Sequence, residues 1–505
     1  MPSSNKHIFI GRIVHSLSLK KLEILPWAAL GIENDTIVFV DRSIKSVSDA
    51  KKKYPSFATA ASTVLSSTQF LFPGLIDTHL HAPQWPNLAM GMEGNLAEWV
   101  REYTDPIEAS YSDNEKATRV YSELVQKELE LGSTTVAYNS TIHYQATNIL
   151  ADMCLKYGQR SIIGKLCILG GATHHNYESS VEQSLEDEEK SVEYIQKIDP
   201  TGKLVLPCIQ PRGGPWAPPA LMDGLGKMSQ NGGGEKLRVQ AHMCETEDDV
   251  EKMRKVHPGF ENYGEMYKSH GLLHEKSILA HCIHLSDIDI AILAETGAGV
   301  AHNPNSNTCL RDGVCRVREL LDKGVKVGLG TDCSAGYSTF MLDSMRQASN
   351  VSRHLSMRTG DDNNTLGFNE IVYLGTLGSA GVLSMQDQIG NFLPGKLFDA
   401  LLIDVGGNDC INISGWEKDD LALVKKWVFM GDDRSIRKVF VNGVHVAGKD
   451  KPKKAAWLKR TIAKLMSLIC PANQVREGGK SPKTLMAHDF EDDASIRSML
   501  AREKV

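Results

Sequence analysis

Apolar residues recur along this chain in two rhythms, and the change from one to the other divides it. From His7 to about Gln69 they come in short runs, at 7–10, 28–32 and 36–40, with polar turn clusters between them. That pattern predicts a small sheet of short strands, closed by Pro73-Gly74. From there to about Gly390 the chain shows eight nearly unbroken apolar runs, at 74–81, 133–141, 161–169, 204–212, 237–245, 277–284, 297–304 and 325–332. Most are followed by amphipathic stretches such as 247–256, 285–296 and 314–323. Strands alternating with helices predict a parallel sheet. Eight such units within about 300 residues predict an α/β fold of the (β/α)8 barrel type. A doubly wound sheet is the fallback, but no glycine-rich phosphate loop follows the first strand.

Beyond the barrel, 398–404 predicts a further strand, followed by a strand pair at 428–430 and 436–446 with Asn442-Gly443 as a hairpin turn. These segments have nothing nearby to pair with, so they are expected to join the N-terminal strands in a small β-sandwich built from both chain ends. The expected division is 1–72 and 389–450 for that domain, 73–388 for the barrel and 451–505 for a tail. Within the tail, 454–469 predicts a basic amphipathic helix with Trp457, Leu458, Ile462 and Leu465 on its apolar side. Packing on the protein or on a dimer partner is the commoner use of such a helix; a calmodulin-type or membrane-surface role is the alternative.

Composition narrows the function classes. An apolar content of 41% and a charged content of 23% over 505 residues suit a globular protein with a large core. The net charge of −6 offers no basic field for nucleic acid. The ten cysteines form no C-x-x-C pair and several sit inside apolar runs, such as Leu166-Cys167-Ile168, which reads as reduced, buried thiols of a cytoplasmic protein. Neither a secretory h-region at the N-terminus nor an apolar stretch of about 18 residues is present, so neither secretion nor a membrane span is expected.

The candidate chemistry lies at the ends of the predicted strands. His79 and His81 stand two apart near the end of the first barrel run, on one face of a strand. With 17 histidines in the chain, roughly half of one H-x-H pair is expected by chance, so the pair alone is a weak signal. His242 ends the fifth run, His281 falls in the sixth and Asp332 closes the eighth. Barrel enzymes build their chemistry at the C-terminal ends of strands. Four histidines and one aspartate therefore converge on one mouth, a donor set that suits zinc, with iron(II) or manganese next. Glu245 follows His242 by three residues and can reach a metal-bound water as a proton shuttle. Glu247, Asp248 and Asp249 better fit the role of helix N-terminal charges.

These segments resemble the amidohydrolase superfamily and, within it, the guanine deaminases. The resemblance is carried by Pro73 to Gln84, by His242-Met243-Cys244-Glu245 and by Pro304-Asn305-Ser306-Asn307. It continues through Gly328 to Asp332, Ala335 to Ser338, Met341-Leu342 and Phe429 to Arg434, and spans about residues 8 to 448. It implies one zinc per chain held by His79, His81, His242 and Asp332, with His281 beside the metal and its water. It implies catalysis by Glu245, Asp332 and His281, and a guanine site formed by Gln84, Arg212 and Gly213 with His242, Glu245 and Asp332. The implied reaction is hydrolysis of guanine to xanthine and ammonia by a homodimer. Alternatives are an amidohydrolase for another aminopurine, a pterin or a triazine, or a non-catalytic barrel scaffold. The chain departs from the family's pattern where Gly213-Gly214 replace the aromatic that usually follows the arginine; Trp216 is the nearest ring. It departs also at 170–175, which lacks the expected acidic-polar sequence, and at Asn303, where a small or thiol residue is usual.

Overall fold

The structure, a computed structural model, describes residues 5–232 and 234–451. The amphipathic helix expected at 454–469 lies outside the described residues. Strands β1 (Lys6–Ser18), β2 (Lys21–Glu33) and β3 (Thr36–Asp41) form an antiparallel meander. Two strands, β4 (Ala61–Val64) and β5 (Gln69–Pro73), return parallel to β1. Next come β6 (Leu75–His81), β7 (Ser133–Asn139), β8 (Arg160–Gly164) with its short continuation β9 (Leu166–Cys167), and β10 (Val205–Pro211). They are followed by β11 (Arg238–Met243), β12 (Ser277–His281), β13 (Gly299–His302) and β14 (Lys326–Leu329).

All of these pair parallel in the order β6-β7-β8-β10-β11-β12-β13-β14, with β9 beside β10. The ring closes between its first and last strands, where the Asp332 N–H donates to His79 O at 2.9 Å and the His81 N–H to Cys333 O at 3.0 Å. The expected (β/α)8 barrel is the fold observed. Every residue of β6, β7 and β8 is buried, which is why these runs show no alternation of apolar and polar positions.

The closing seam depends on a buried carboxylate. Asp77 accepts from the N–H groups of His79 (3.0 Å) and Thr331 (3.1 Å) and from the Thr331 hydroxyl. Burial pushes its carboxyl up to about 7, although these hydrogen bonds oppose the shift. Asp77→Ala orphans three buried donors, so it is expected to cost about 3 kcal/mol. The check is the urea midpoint; an unchanged midpoint would remove Asp77 from the account of closure.

The last strands, β15 (Ala400–Asp404), β16 (Ile436–Val441) and β17 (Val444–Ala447), complete the first sheet in the order β17-β16-β15-β5-β1-β2-β3. Residues 6–73 and 400–447 thus share one sheet, joined where β15 pairs antiparallel with β5. Asn442 (φ 49°) and Gly443 (φ 73°) form the β16–β17 turn with the two left-handed residues such a hairpin demands. One expected strand is absent: Val428–Met430 ends the helix Asp420–Met430. Apolar content there suggested a strand, but Leu423, Val424, Trp427 and Val428 form a helical stripe, and Asp419 caps the helix by accepting from the Ala422 N–H. Trp427 then packs edge-on to Phe72, with ring centroids 4.8 Å apart, and ties this helix to the sheet.

Candidate active site and metal centre

The C-terminal mouth of the barrel brings together all five polar residues expected there. His79 and His81 share a face of β6, His242 lies near the end of β11, His281 ends β12, and Asp332 follows β14. Two overlapping ligand groups result, His79–His242–His281 and His79–His81–Asp332, each with its ligand atoms within 4.8 Å of one another. His242 Nδ1 lies 2.8 Å from Arg212 O and so carries the proton, which leaves Nε2 as a bare lone pair. That Nε2 faces His81 Nε2 at 3.2 Å, while Asp332 Oδ1 stands 3.3 Å from His79 Nε2 and 3.5 Å from His81 Nε2. His79 Nε2 and His281 Nε2 are buried with no hydrogen-bond partner. Burial pushes His79, His81 and His242 below the usual imidazole range, toward the neutral form that binds metals. Converging imidazole nitrogens beside a carboxylate fit a divalent cation.

Asp332 and Glu245 are tuned in opposite directions. Burial works against the charge of Asp332, but the close approach of the His79 ring and the fields of His281, His79 and His81 outweigh it and hold the carboxyl well below its usual range. Burial, with Asp332 and Asp249 nearby, pushes Glu245 well above the usual carboxylate range; Arg212 only partly offsets this. The two buried acids are thus pushed in opposite directions, a pairing suited to acid–base chemistry. Glu245 Oε1 and Asp332 Oδ2 flank His281 Nε2 at 3.5 and 3.7 Å. His281 Nδ1 lies 2.9 Å from Asn307 Oδ1, which fixes that ring nitrogen as a donor and turns Nε2 to the mouth. The backbone bends sharply where these side chains leave the strands: Cys244, His281 and Asp332 have φ of 51°, 70° and 49°. Such non-glycine residues cost of order 1–3 kcal/mol each, and they collect at functional sites.

Gln84, Arg212 and Trp216 line the inner cavity above this centre, with Leu96, Trp99 and Val100 as its roof. The cavity holds about 30 Å³ and adjoins an open vestibule of about 840 Å³; Leu96, Val100 and Trp216 border both. The Arg212 guanidinium carbon lies 5.6 Å from the centre of the Trp216 ring, a cation–π contact. Gly213 and Gly171 make room for that ring: a β-carbon at either position would stand 3.1 Å from indole atoms. Two of the three departures from the family's pattern, at 213 and in 170–175, thus adjoin Trp216.

Sequence reasoning missed Glu108. It is fully buried beneath Gln84 and Arg212, on the short helix Asp105–Ala109. The preceding turn, Val100–Thr104, is a π-helix, and Pro106 just beyond it has no N–H to continue the ladder. That break turns Asp105 and Glu108 inward, where Thr173 and Asn176 meet them. The only sequence signal was a proline within a helical stretch, next to an acid.

A barrel with this donor set at its C-terminal mouth has the build of a metal-dependent hydrolase. Residues 70–446 match the amidohydrolase family, and the chain belongs to it. The probable guanine deaminase of Schizosaccharomyces pombe is 39% identical over 446 residues, which cover 87% of this chain and 83% of that protein. Guanine deaminase of Mus musculus is 36% identical over 87% of this chain and 96% of its own length. A crystal structure of guanine deaminase from C. acetobutylicum with bound guanine superposes with a TM-score of 0.79 at 29% identity, covering 87% of this chain and all of that one. The family expected from the motifs is the family found.

Proposed function

We propose that this chain hydrolyses guanine to xanthine and ammonia, with one zinc ion per chain held by Nε2 of His79, His81 and His242 and by Asp332. The observation that carries this reading is the buried donor set with the buried carboxyl of Glu245 beside it, in a chain 39% identical over most of its length to a probable guanine deaminase. When bound, zinc supplies a water acidic enough to furnish hydroxide near neutral pH.

The chain's own residues do the rest. Asp332 takes the proton of the attacking water, and His281 orients that water through Nε2. Glu245 gives its proton to the ring nitrogen next to C2 as oxygen adds to that carbon. The tetrahedral carbon then expels its amino group, which leaves as ammonia with the proton held by Asp332. Glu245 recovers a proton from the new C2–OH, and both carboxyls are reset. Gln84 and Arg212 read the edge of the base, since a planar guanidinium fork matches a carbonyl and a ring nitrogen. Trp216 covers the face of the base and takes the part of the aromatic that Gly213 lacks.

Trp216→Ala is expected to raise KM for guanine about tenfold, the scale of base–aromatic stacking, while Trp216→Phe raises it much less. Equal KM in wild type and Trp216→Ala would reassign the ring to packing. The same reading includes residues 73–388 as the catalytic barrel between the 1–72 and 389–450 parts of the β domain, a tail at 451–505, a homodimer and a cytoplasmic setting; the family resemblance supports these. Among the described residues, no helix is long and apolar enough to cross a membrane.

The decisive test is ammonia release and xanthine formation from guanine by purified protein of known metal content. Turnover with about one zinc per chain is the expected result. Zinc-loaded protein inert on guanine would transfer the chemistry to another amino-heterocycle.

A further inference from the structure

The geometry points to Glu108 as the positioning residue that sets Gln84 and Arg212 for base recognition, an inference that rests on the guanine reading above. Its carboxylate is fully buried and shared among three donors. Oε1 accepts from Gln84 Nε2 at 2.7 Å; Oε2 accepts from Asn176 Nδ2 at 2.8 Å and from Arg212 Nη1 at 3.0 Å. No side chain expected from the sequence does this work.

Two consequences follow for a ligand in the inner cavity. A carboxylate only accepts, so the amide of Gln84 must turn its NH2 toward Glu108. The oxygen, whose other contact is the Ser334 N–H at a long 3.4 Å, is then the atom offered to the base. Arg212, one edge of its fork held by Glu108 and its face by Trp216, keeps its remaining N–H groups for acceptors. An acceptor beside a fork of donors suits a base that presents a ring N–H next to a carbonyl. It disfavours a base such as 2,6-diaminopurine, which presents a bare ring nitrogen next to an amine. Glu108 thereby sets substrate choice without touching substrate.

Glu108 also lies 3.8 Å from His81 Nδ1, so the test must separate recognition from metal binding. Glu108→Gln keeps the volume but removes the charge and lets the Gln84 amide turn over. The expected result is a KM for guanine raised about tenfold, a much smaller change in kcat and unchanged zinc content. The preference for guanine over 2,6-diaminopurine should shrink by a similar factor. Combined with Arg212→Lys, the two KM effects should be less than additive in free energy, because both act on one contact. Glu108→Asp keeps the charge but cannot reach Gln84 and Arg212 together, so KM should rise only a few-fold; it carries the test if Glu108→Gln fails to fold.

An unchanged KM, strictly additive effects, or loss of zinc with loss of kcat would each overturn the positioning role. Wild-type protein inert on guanine would overturn the guanine reading and this inference with it. An active wild type with unshifted variants would overturn the inference alone.

Discussion

Glu245→Gln is expected to lower kcat on guanine by about 10⁴-fold, the upper end of what a positioned acid–base group contributes, while zinc content stays at the wild-type level. The upper end applies because, in the proposed mechanism, one carboxyl both gives a proton to the ring nitrogen and recovers one from the new hydroxyl. Glutamine fills the same volume but can do neither. Glu245 is 5% exposed, and burial beside Asp332 and Asp249 pushes its carboxyl well above the usual carboxylate range. Ligation should not suffer, since the nitrogens of His79, His81 and His242 and the Asp332 carboxylate converge without it. The measurement is steady-state turnover with metal analysis of the same preparation. Wild-type turnover in this variant would remove the proton-shuttle role, and lost zinc would make Glu245 a ligand instead.

Removing the metal should have an effect at least as large. Protein stripped by a strong chelator is expected to lose about 10⁴-fold or more of its turnover, because the pKa of water at such a site falls to about 7 only while the cation is bound. One equivalent of zinc should restore it. A second readout is stability. The stripped protein buries these ligand atoms against one another, with His81 Nε2 and His242 Nε2 3.2 Å apart and beside the Asp332 carboxylate. A ligand that binds only the folded state stabilises it by about 4 kcal/mol at a thousandfold excess over its Kd, so Tm should climb on zinc addition. Full turnover in metal-free protein would refute the metal assignment, and a Tm indifferent to zinc would refute the role of these nitrogens in holding it.

Local sequence determined the parts of this protein that depend on neighbours in the chain. Strand periodicity put His79 and His81 on one face of β6, because residues two apart on a strand share a side whatever else the fold does. The same logic placed His242, His281 and Asp332 at strand ends, and repetition of strand and helix implied the barrel that gathers them at one mouth. Asn442-Gly443 declared its hairpin because few residue pairs tolerate two left-handed conformations.

Tertiary structure alone decided what depends on segments distant in sequence. Glu108 meets Gln84, Asn176 and Arg212 across separations of 24, 68 and 104 residues, and no local pattern marks such a meeting. Trp216 covers Arg212 only because Gly171 and Gly213 lie under its ring, a matter of packing between two loops. The 428–430 run became helix because its stripe found Phe70 and Phe72 to pack on, more than 350 residues away. The opposite tuning of Asp332 and Glu245 has the same origin: both are buried acids, and what separates them is the company each keeps once the barrel has closed. The clustering of the strand-end histidines was local chemistry; the contacts around Gln84, Arg212 and Glu245 arise from long-range packing.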